Sequence, residues 1–197
     1  MAAHRIDEGA LAQIFLEART YDAFRDEPVP DALLRDAWDL ARLGPTSANS
    51  MPARILFVKS PAAKKRLEPM LSEGNRAKTM KAPVTAIMAY DLEFYEKLPK
   101  LFAHTDARSW FVGKQQAIEI TAFRNGTLLA AYFIIAARAV GLDCGPMSGF
   151  DNAQVDAAFF KGSPWRSNFL CNLGFGDGSD LRPRHPRLEF DEACKIV

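Results

Sequence analysis

The sequence predicts an α+β fold, a small central sheet flanked by helices, in one domain spanning residues 1–197. Three observations carry this expectation. Helical periodicities outnumber strand-like runs, the two do not alternate as they would in a doubly wound sheet, and no linker or shift in composition divides the chain. With 48% hydrophobic residues, the chain has material for one sizeable core.

Taken in order, Asp7 is placed to cap a first helix carrying Leu11, Ile14, Phe15 and Ala18 on one face. A second helix is expected from Asp31 to Leu43, with Leu33, Leu34, Ala37, Trp38 and Ala41 inward and Gly44 as its stop. RILFVK (54–59) reads as a strand, and Ser60-Pro61 as the cap and first turn of a helix through AAKKRLEPML. PVTAIMAYD (83–91) reads as a second, apolar strand. Residues 92–113 hold Phe94, Tyr95, Phe102, Trp110 and Phe111 among breakers and charges, which suits either a cover over a site or a satellite cluster under a long connection.

The longest helix is expected from Asn125 to Val140. Leu128, Leu129, Ala131, Tyr132, Phe133, Ile134 and Ile135 leave it almost no polar face, the mark of a central helix or one lying between subunits. FDNAQVDAAFF (150–160) reads as a helix and SNFLCNLGFG (167–176) as a third strand. The tail DLRPRHPRLEF is too rich in Pro and Arg for a core element.

Composition narrows the function. The 25 Lys and Arg against 24 acids give a net charge of +1, without the basic excess that nucleic-acid or membrane-surface partners call for. MAAHRIDEGA lacks the apolar stretch of a signal peptide. The apolar run Gly126 to Ala137 is shorter than the ~20 residues that span a bilayer. Cys144, Cys171 and Cys194 are odd in number and far apart, which suits a reduced cytoplasm and not a disulfide frame. His4, His104 and His185 are too scattered for a metal site. GFGDGS (174–179) follows the last strand and leads into Arg182-Pro183-Arg184, so it reads as a turn, not as a dinucleotide loop.

Four stretches remain: ART (18–20), GPTSANSMP (44–52), CGPMSGF (144–150) and RPR (182–184). Singly, each reads as ordinary loop or surface. Yet Thr46, Ser47, Asn49 and Ser50 exceed what a turn requires. Together the four meet the needs of flavin mononucleotide. Arg forks and hydroxyls suit its phosphate, and amides and hydroxyls suit the ribityl chain and pyrimidine edge. Glycines let backbone approach a flat ring, where an N–H can face N5.

ART with Phe24, then PTSANSMP, GPMSGF and RPR resemble, in order and spacing, the FMN-binding segments of the nitroreductase family, and the likeness covers nearly the whole chain. ARTYDAF, GPTSANSMPARI, GNRAKTMKAPVTAI, DARSWF, ITAFRN and GPMSGF look most like the malonic semialdehyde reductases of the pyrimidine-degradation type. The resemblance implies a mostly antiparallel sheet in an intertwined cytoplasmic homodimer, with FMN in each of two interface sites. It implies ping-pong hydride transfer from NADH or NADPH to a small molecule such as malonic semialdehyde. A broad nitro or quinone acceptor range, or flavin binding without turnover, are the alternatives.

By matching position, Arg19, Thr20, Arg182 and Arg184 would hold the phosphate and ribityl end, and Ser47 and Asn49 the ribityl and ring edge. Pro146, Met147, Ser148 and Gly149 would line the ring, with the Gly149 N–H toward N5. No side chain is assigned a catalytic role, because the chemistry sits on the flavin. The helix from Asn125 becomes the dimer helix, and residues 92–113 the substrate cover, with Phe102 and Trp110 toward the substrate. Asp22 stands where a basic residue is common, Met51 where glutamine is common, and Ala53 where an aromatic is common. The last two imply a pocket shaped for a small substrate. Arg54 reads equally as a partner for a substrate carboxylate and as a brace at the strand end.

Overall fold

A computed structural model describes residues 5–197; His4 and the rest of MAAH lie outside the described residues. The chain order is α1 (Glu8–Leu11), α2 (Asp31–Ala41), β1 (Ala53–Val58), α3 (Pro61–Leu67), α4 (Glu73–Lys81), β2 (Val84–Asp91), α5 (Leu98–Leu101), α6 (Gln115–Ala139), β3 (Asp143–Met147), α7 (Asn152–Phe159), β4 (Trp165–Gly174) and α8 (Phe190–Ala193). The expected caps are present. Asp7 Oδ1 accepts from the Ala10 N–H at 2.8 Å, and the Ser60 hydroxyl accepts from the Ala63 N–H at 3.2 Å. Beyond Leu11 the first helix loosens into a π-helical turn, Ala12–Leu16.

The four strands form one sheet in the order β1-β2-β4-β3, with every neighbouring pair antiparallel. β2 is central and buried on both faces, which explains its unbroken apolar run. Strand alternation sorts its residues. Ala86 and Met88 face a cluster with Leu34 and Ala37 of α2 and Ala130, Phe133 and Ala137 of α6. Ile87 and Ala89 face the opposite cluster, with Leu67 of α3, Val155 of α7 and Leu170. A bulge between Met88 and Ala89 shifts the register against β4.

Two expectations need correction, and one helix lies where none was read. The long helix starts at Gln115, ten residues before Asn125, because Gln115, Gln116 and Glu119 turn outward while Ile118 and Ala122 are buried. CGPMSGF is not all loop: Asp143–Met147 pairs with β4 as an edge strand, with Pro146 opposite Cys171. Pro is tolerated there because an edge residue has a ladder position without a neighbour. GNRAKTMK is a helix, opened by Ser72 and Glu73 and closed by Lys78 and Lys81, an arrangement that suits the helix dipole.

α6 is also not apolar on all sides in the same sense. Ala122, Leu129, Ala130, Phe133, Ala136 and Ala137 are buried against the sheet and α2, while Ile120, Phe123 and Leu128 are exposed. Its 25 residues make it long and apolar enough to cross a membrane by length and composition, so the shorter Gly126–Ala137 run understated its length. In this structure one face of it forms the core.

Residues 92–113 pack as a satellite cluster. Phe94, Leu98 and Ala107 are buried against Ile118 and Ala122 of α6, with Phe102 and Phe111 partly covered.

Candidate active site

The segment after the first helix runs beside the sheet edge. Thr20 makes a parallel bridge with Cys144 of β3, the Tyr21 N–H donates to the Cys144 carbonyl at 3.1 Å, and the Arg25 N–H donates to the Phe175 carbonyl at 2.8 Å. Gly145 is required here. A Cβ at that position would sit 2.4 Å from the Tyr21 carbonyl oxygen. The close approach fixes where Arg19 and Thr20 emerge.

The C-terminal tail meets them. Arg19 donates to the Arg182 carbonyl, and Arg184 Nη2 donates to the carbonyls of Leu16 and Ala18, each at 2.8 Å. Arg184 thus closes the C-terminal end of the first helical segment, whose last carbonyls lack intrahelical donors. Arg138, from the last turn of α6, donates to the Ile14 carbonyl at 3.1 Å, and its buried Nε has no partner among the described residues. Between these groups lies a cleft of about 450 Å³, lined by Arg19, Thr20, Arg138, Arg182, Arg184 and Arg187. Among the described residues its one carboxylate, Asp22, pairs with Lys78 of α4 at 2.9 Å. The position that lacks the expected basic residue therefore has a cation supplied from another element. His185 is exposed, as the tail's composition suggests, and also borders this cleft.

Further along β3, away from the Thr20–Cys144 bridge, lies the Pro146–Gly149 stretch. The carbonyl of Gly149 accepts from the Ser72 N–H and from Asn75 Nδ2, both at 3.0 Å, while the Gly149 N–H has no partner among the described residues. The Thr79 hydroxyl donates to Met147 Sδ at 3.4 Å. Pro146 and Met147 are half-buried and Ser148 is exposed. So α4 holds the Pro146–Gly149 stretch from behind, leaving one N–H and one hydroxyl presented outward.

GPTSANSMP supplies a different kind of evidence. Ala48, Asn49 and Met51 have φ of 50°, 48° and 41°, the left-handed region that side chains with a Cβ avoid. Such residues cost on the order of 1–3 kcal/mol each and persist only where surroundings impose them. Here the Ser47 N–H donates to Asn125 Oδ1 at 2.8 Å, the Met51 N–H to Thr46 Oγ1 at 3.1 Å, and Arg54 Nη1 to the Met51 carbonyl at 2.9 Å. Ser50 is buried, and its hydroxyl has no partner among the described residues. Arg54 also pairs with buried Asp91 at 2.6 Å. This favours the brace over the carboxylate partner. Ala53 is buried at the head of β1 opposite Tyr90, so its small size concerns packing and not the shape of a pocket.

Asn49 Nδ2 donates to the Leu101 carbonyl at 2.9 Å, which ties the loop to the segment bearing Phe102 and Trp110. The Phe102 ring lies 4.0 Å from that of His104 and 6.0 Å from that of Trp110, and Trp110 is 46% exposed. Within one chain the expected site residues therefore fall into two groups. Arg19, Thr20, Arg182 and Arg184 line one cleft, whereas Pro146–Gly149 on the edge strand and Ser47, Asn49, Phe102 and Trp110 do not line it.

Asn75, Lys78, Arg138 and Arg187 belong to the site by position and were not singled out from the sequence. The helical caps of GNRAKTMK could have placed Asn75 and Lys78 together on α4; nothing in the sequence ties Arg138 to Ile14. Among the described residues, no three His, Cys, Asp or Glu side chains are grouped to share a metal ion, and Cys144, Cys171 and Cys194 are free thiols.

The model of the nitroreductase family matches residues 16–175, which includes the ART segment, the strained loop and β3. The chain belongs to the nitroreductase family. A protein of Burkholderia lata, named "Putative NADH dehydrogenase/NAD(P)H nitroreductase", is 61% identical over 191 residues, covering 97% of this chain and 98% of that one. A similarly named protein of Stenotrophomonas maltophilia is 59% identical, covering 98% and 99%. Among solved structures, one from Exiguobacterium sibiricum described as a "putative nitroreductase in complex with FMN" superposes with a TM-score of 0.83 at 17% identity, covering all of both chains. Another, from Bacillus subtilis, gives 0.84 at 19% identity, covering 97% of this chain and all of that one. At these identities the structures speak for the fold.

Proposed function

We propose that this chain is an FMN-dependent NAD(P)H oxidoreductase, a single domain acting as a cytoplasmic homodimer. The observation that carries the reading is the convergence of Arg19, Thr20, Arg182 and Arg184, from opposite ends of the chain, on one cleft, with Thr20 bridged to Cys144 at the head of β3. A cleft rich in guanidinium groups suits a phosphate dianion. The unpartnered Gly149 N–H is a donor that the flavin ring would satisfy. The names of the relatives agree with NADH or NADPH as donor.

Bound FMN supplies a ring that accepts a hydride from NAD(P)H and returns it to an acceptor. The chain's part is positional. Arg19, Arg182 and Arg184 hold the phosphate, with Thr20 beside it. Pro146, Met147 and Ser148 would flank the ring, with the Gly149 N–H free to donate to it. Ser47 and Asn49 reach the ribityl and ring edge across the dimer, bringing Phe102 and Trp110 over the substrate. The exposed Ile120, Phe123 and Leu128 of α6 are the surface for that pairing. The three free cysteines suit a reducing compartment.

The acceptor we assign is a small aldehyde acid, malonic semialdehyde. Its carbonyl carbon takes the hydride and its oxygen a proton, giving 3-hydroxypropionate, while NAD(P)H becomes NAD(P)+. The relatives' names favour a second reading, a broad nitro or quinone acceptor range on the same site.

An anaerobic absorption experiment tests the core of this. Protein reconstituted with FMN should show a flavin spectrum that bleaches on adding NADPH or NADH. A flavin that stays oxidised with both would reduce the chain to a binder, and failure to take FMN would end the proposal. Comparing kcat/KM for the semialdehyde with nitroaromatics and quinones then decides the acceptor. An excess of orders of magnitude for the latter overturns the aldehyde assignment.

A further inference from the structure

α3 carries a lysine inside the protein. Lys64 is 4% exposed, and its Nζ donates to the Thr79 carbonyl at 2.8 Å and to Thr85 Oγ1 at 2.6 Å. Around it Thr79, Thr85 and Asn172 are fully buried, at a sheet face that otherwise buries Ile87 and Leu170 against Leu67 of α3. No carboxylate is hydrogen-bonded to it among the described residues, and burial lowers its pKa to about 8. An apolar side chain of similar volume would fill this place with less desolvation cost. The polar choice therefore asks for a purpose.

The hydrogen bonds run in one direction. An ammonium donates only, so Thr85 Oγ1 must accept from it, and the Thr85 hydroxyl proton is sent on to Asn172 Oδ1, 2.7 Å away. That orients the Asn172 amide, whose Nδ2 donates to Thr79 Oγ1 at 3.5 Å. The Thr79 hydroxyl proton is then left to Met147 Sδ at 3.4 Å. Asn172 pairs with Gly145 in the sheet, directly beneath the edge strand. The second bond of Lys64, to the Thr79 carbonyl, fixes α4 four residues after Asn75, which holds the Gly149 carbonyl. One ammonium thus determines both anchors of the Pro146–Gly149 stretch.

We propose that Lys64 is a positioning residue for the flavin-facing strand, acting through Thr85, Asn172 and Thr79 on Met147 and through α4 on Gly149. Its catalytic consequence rests on the flavin reading above, but the positioning itself does not. A donor-only group at 64 permits a single arrangement of hydroxyls and amide, so Met147 and the Gly149 N–H keep one placement against the ring. Replacing it with an apolar side chain frees Thr85 and Asn172 to reverse.

Two variants and one rescuing substitution test this in the full-length protein. Lys64→Met keeps the stem and removes the donor; Thr79→Val removes the last hydroxyl at nearly constant volume, and Thr79→Ser restores it. With methionines labelled at the ¹³C methyl, and Met147 assigned through Met147→Leu, Lys64→Met and Thr79→Val should both displace or split the Met147 resonance without added FMN, while Thr79→Ser returns it. With FMN bound, hydride transfer from saturating NADPH in anaerobic stopped flow should slow about tenfold in both variants and recover in Thr79→Ser, as small misplacements of a reacting geometry do. An unmoved Met147 signal in either variant overturns the network, whether or not the chain binds flavin. A moved signal with an unchanged rate overturns the positioning role and leaves packing alone. Protein that takes no FMN would defeat the flavin reading while the methyl signals still judge Lys64.

Discussion

Two parts of the candidate site are built in contrasting ways. In the cleft, Arg19, Arg138, Arg182, Arg184 and Arg187 come from the two ends of the chain and α6, and four of them tie backbone carbonyls while presenting charge. The Ala48–Met51 loop is local in sequence but held in a disfavoured conformation by Thr46, Arg54 and Asn125. The cleft has several cations and ordinary backbone; the loop has strain and few restraints. Loss of one cation should therefore be graded, whereas loss of one restraint should be severe.

The largest expected effect breaks the loop's brace. Arg54→Ala leaves Asp91 buried without its partner and frees the Met51 carbonyl. Removing one member of a buried pair costs roughly 3–5 kcal/mol. Because Arg54 is 21% exposed, the lower end is expected in urea unfolding. A loss below 1 kcal/mol, the scale of a surface pair, would show that the loop stands without it.

The second prediction concerns the support beneath the cleft's edge strand. Lys64 has a pKa of about 8 in the fold against 10.5 for the ordinary side chain, so between these values the unfolded chain binds more protons. Stability must then rise with pH across that window; below pH 8 the full penalty of the buried charge is present. Measured against Lys64→Met, wild type should gain about 3 kcal/mol from pH 8 to 10.5, at 1.36 kcal/mol per pKa unit. A difference that stays flat would mean that Lys64 keeps the ordinary lysine pKa in the fold, its charge carrying no net burial penalty there.

Third, Arg19→Ala should weaken FMN binding by roughly 1.5–3 kcal/mol, the scale of a hydrogen bond to a charged group. Arg184→Ala should do the same and also lower the melting temperature, because Arg184 closes the first helical segment. Equilibrium dialysis with unchanged FMN affinity for both would remove the phosphate from this cleft. The smallest effect reports the strain itself. Ala48→Gly should stabilise the protein by about 1 kcal/mol, since glycine adopts φ of 50° freely. Asn49→Gly should gain less, because it also loses the bond to the Leu101 carbonyl. If Ala48→Gly destabilises, the loop is not strained.

Local signals made much of this legible. Asp7 and Ser60-Pro61 announced helix starts, the apolar runs at 54–59 and 83–91 gave β1 and β2, and GPTSANSMP looked overloaded with polar groups. β3 was missed because Gly145 and Pro146 read as breakers; their place on the sheet edge beside Tyr21 is what admits them. The first turns of α6 were missed because Gln115, Gln116 and Glu119 diluted an inward stripe that only the satellite cluster completes.

By itself, then, the sequence determined the helical and extended segments, the α+β class and, through the order and spacing of ART, PTSANSMP, GPMSGF and RPR, the family. These depend on periodicity, caps and short motifs, which act over a few residues. Tertiary structure decided the strand order β1-β2-β4-β3, the meeting of Arg19 with the tail at Arg182, the pairing of Asp22 with Lys78 and the burial of Lys64. Each of these joins groups far apart along the chain. Their energies come from shared burial and hydrogen bonding in the closed fold, which no local pattern encodes.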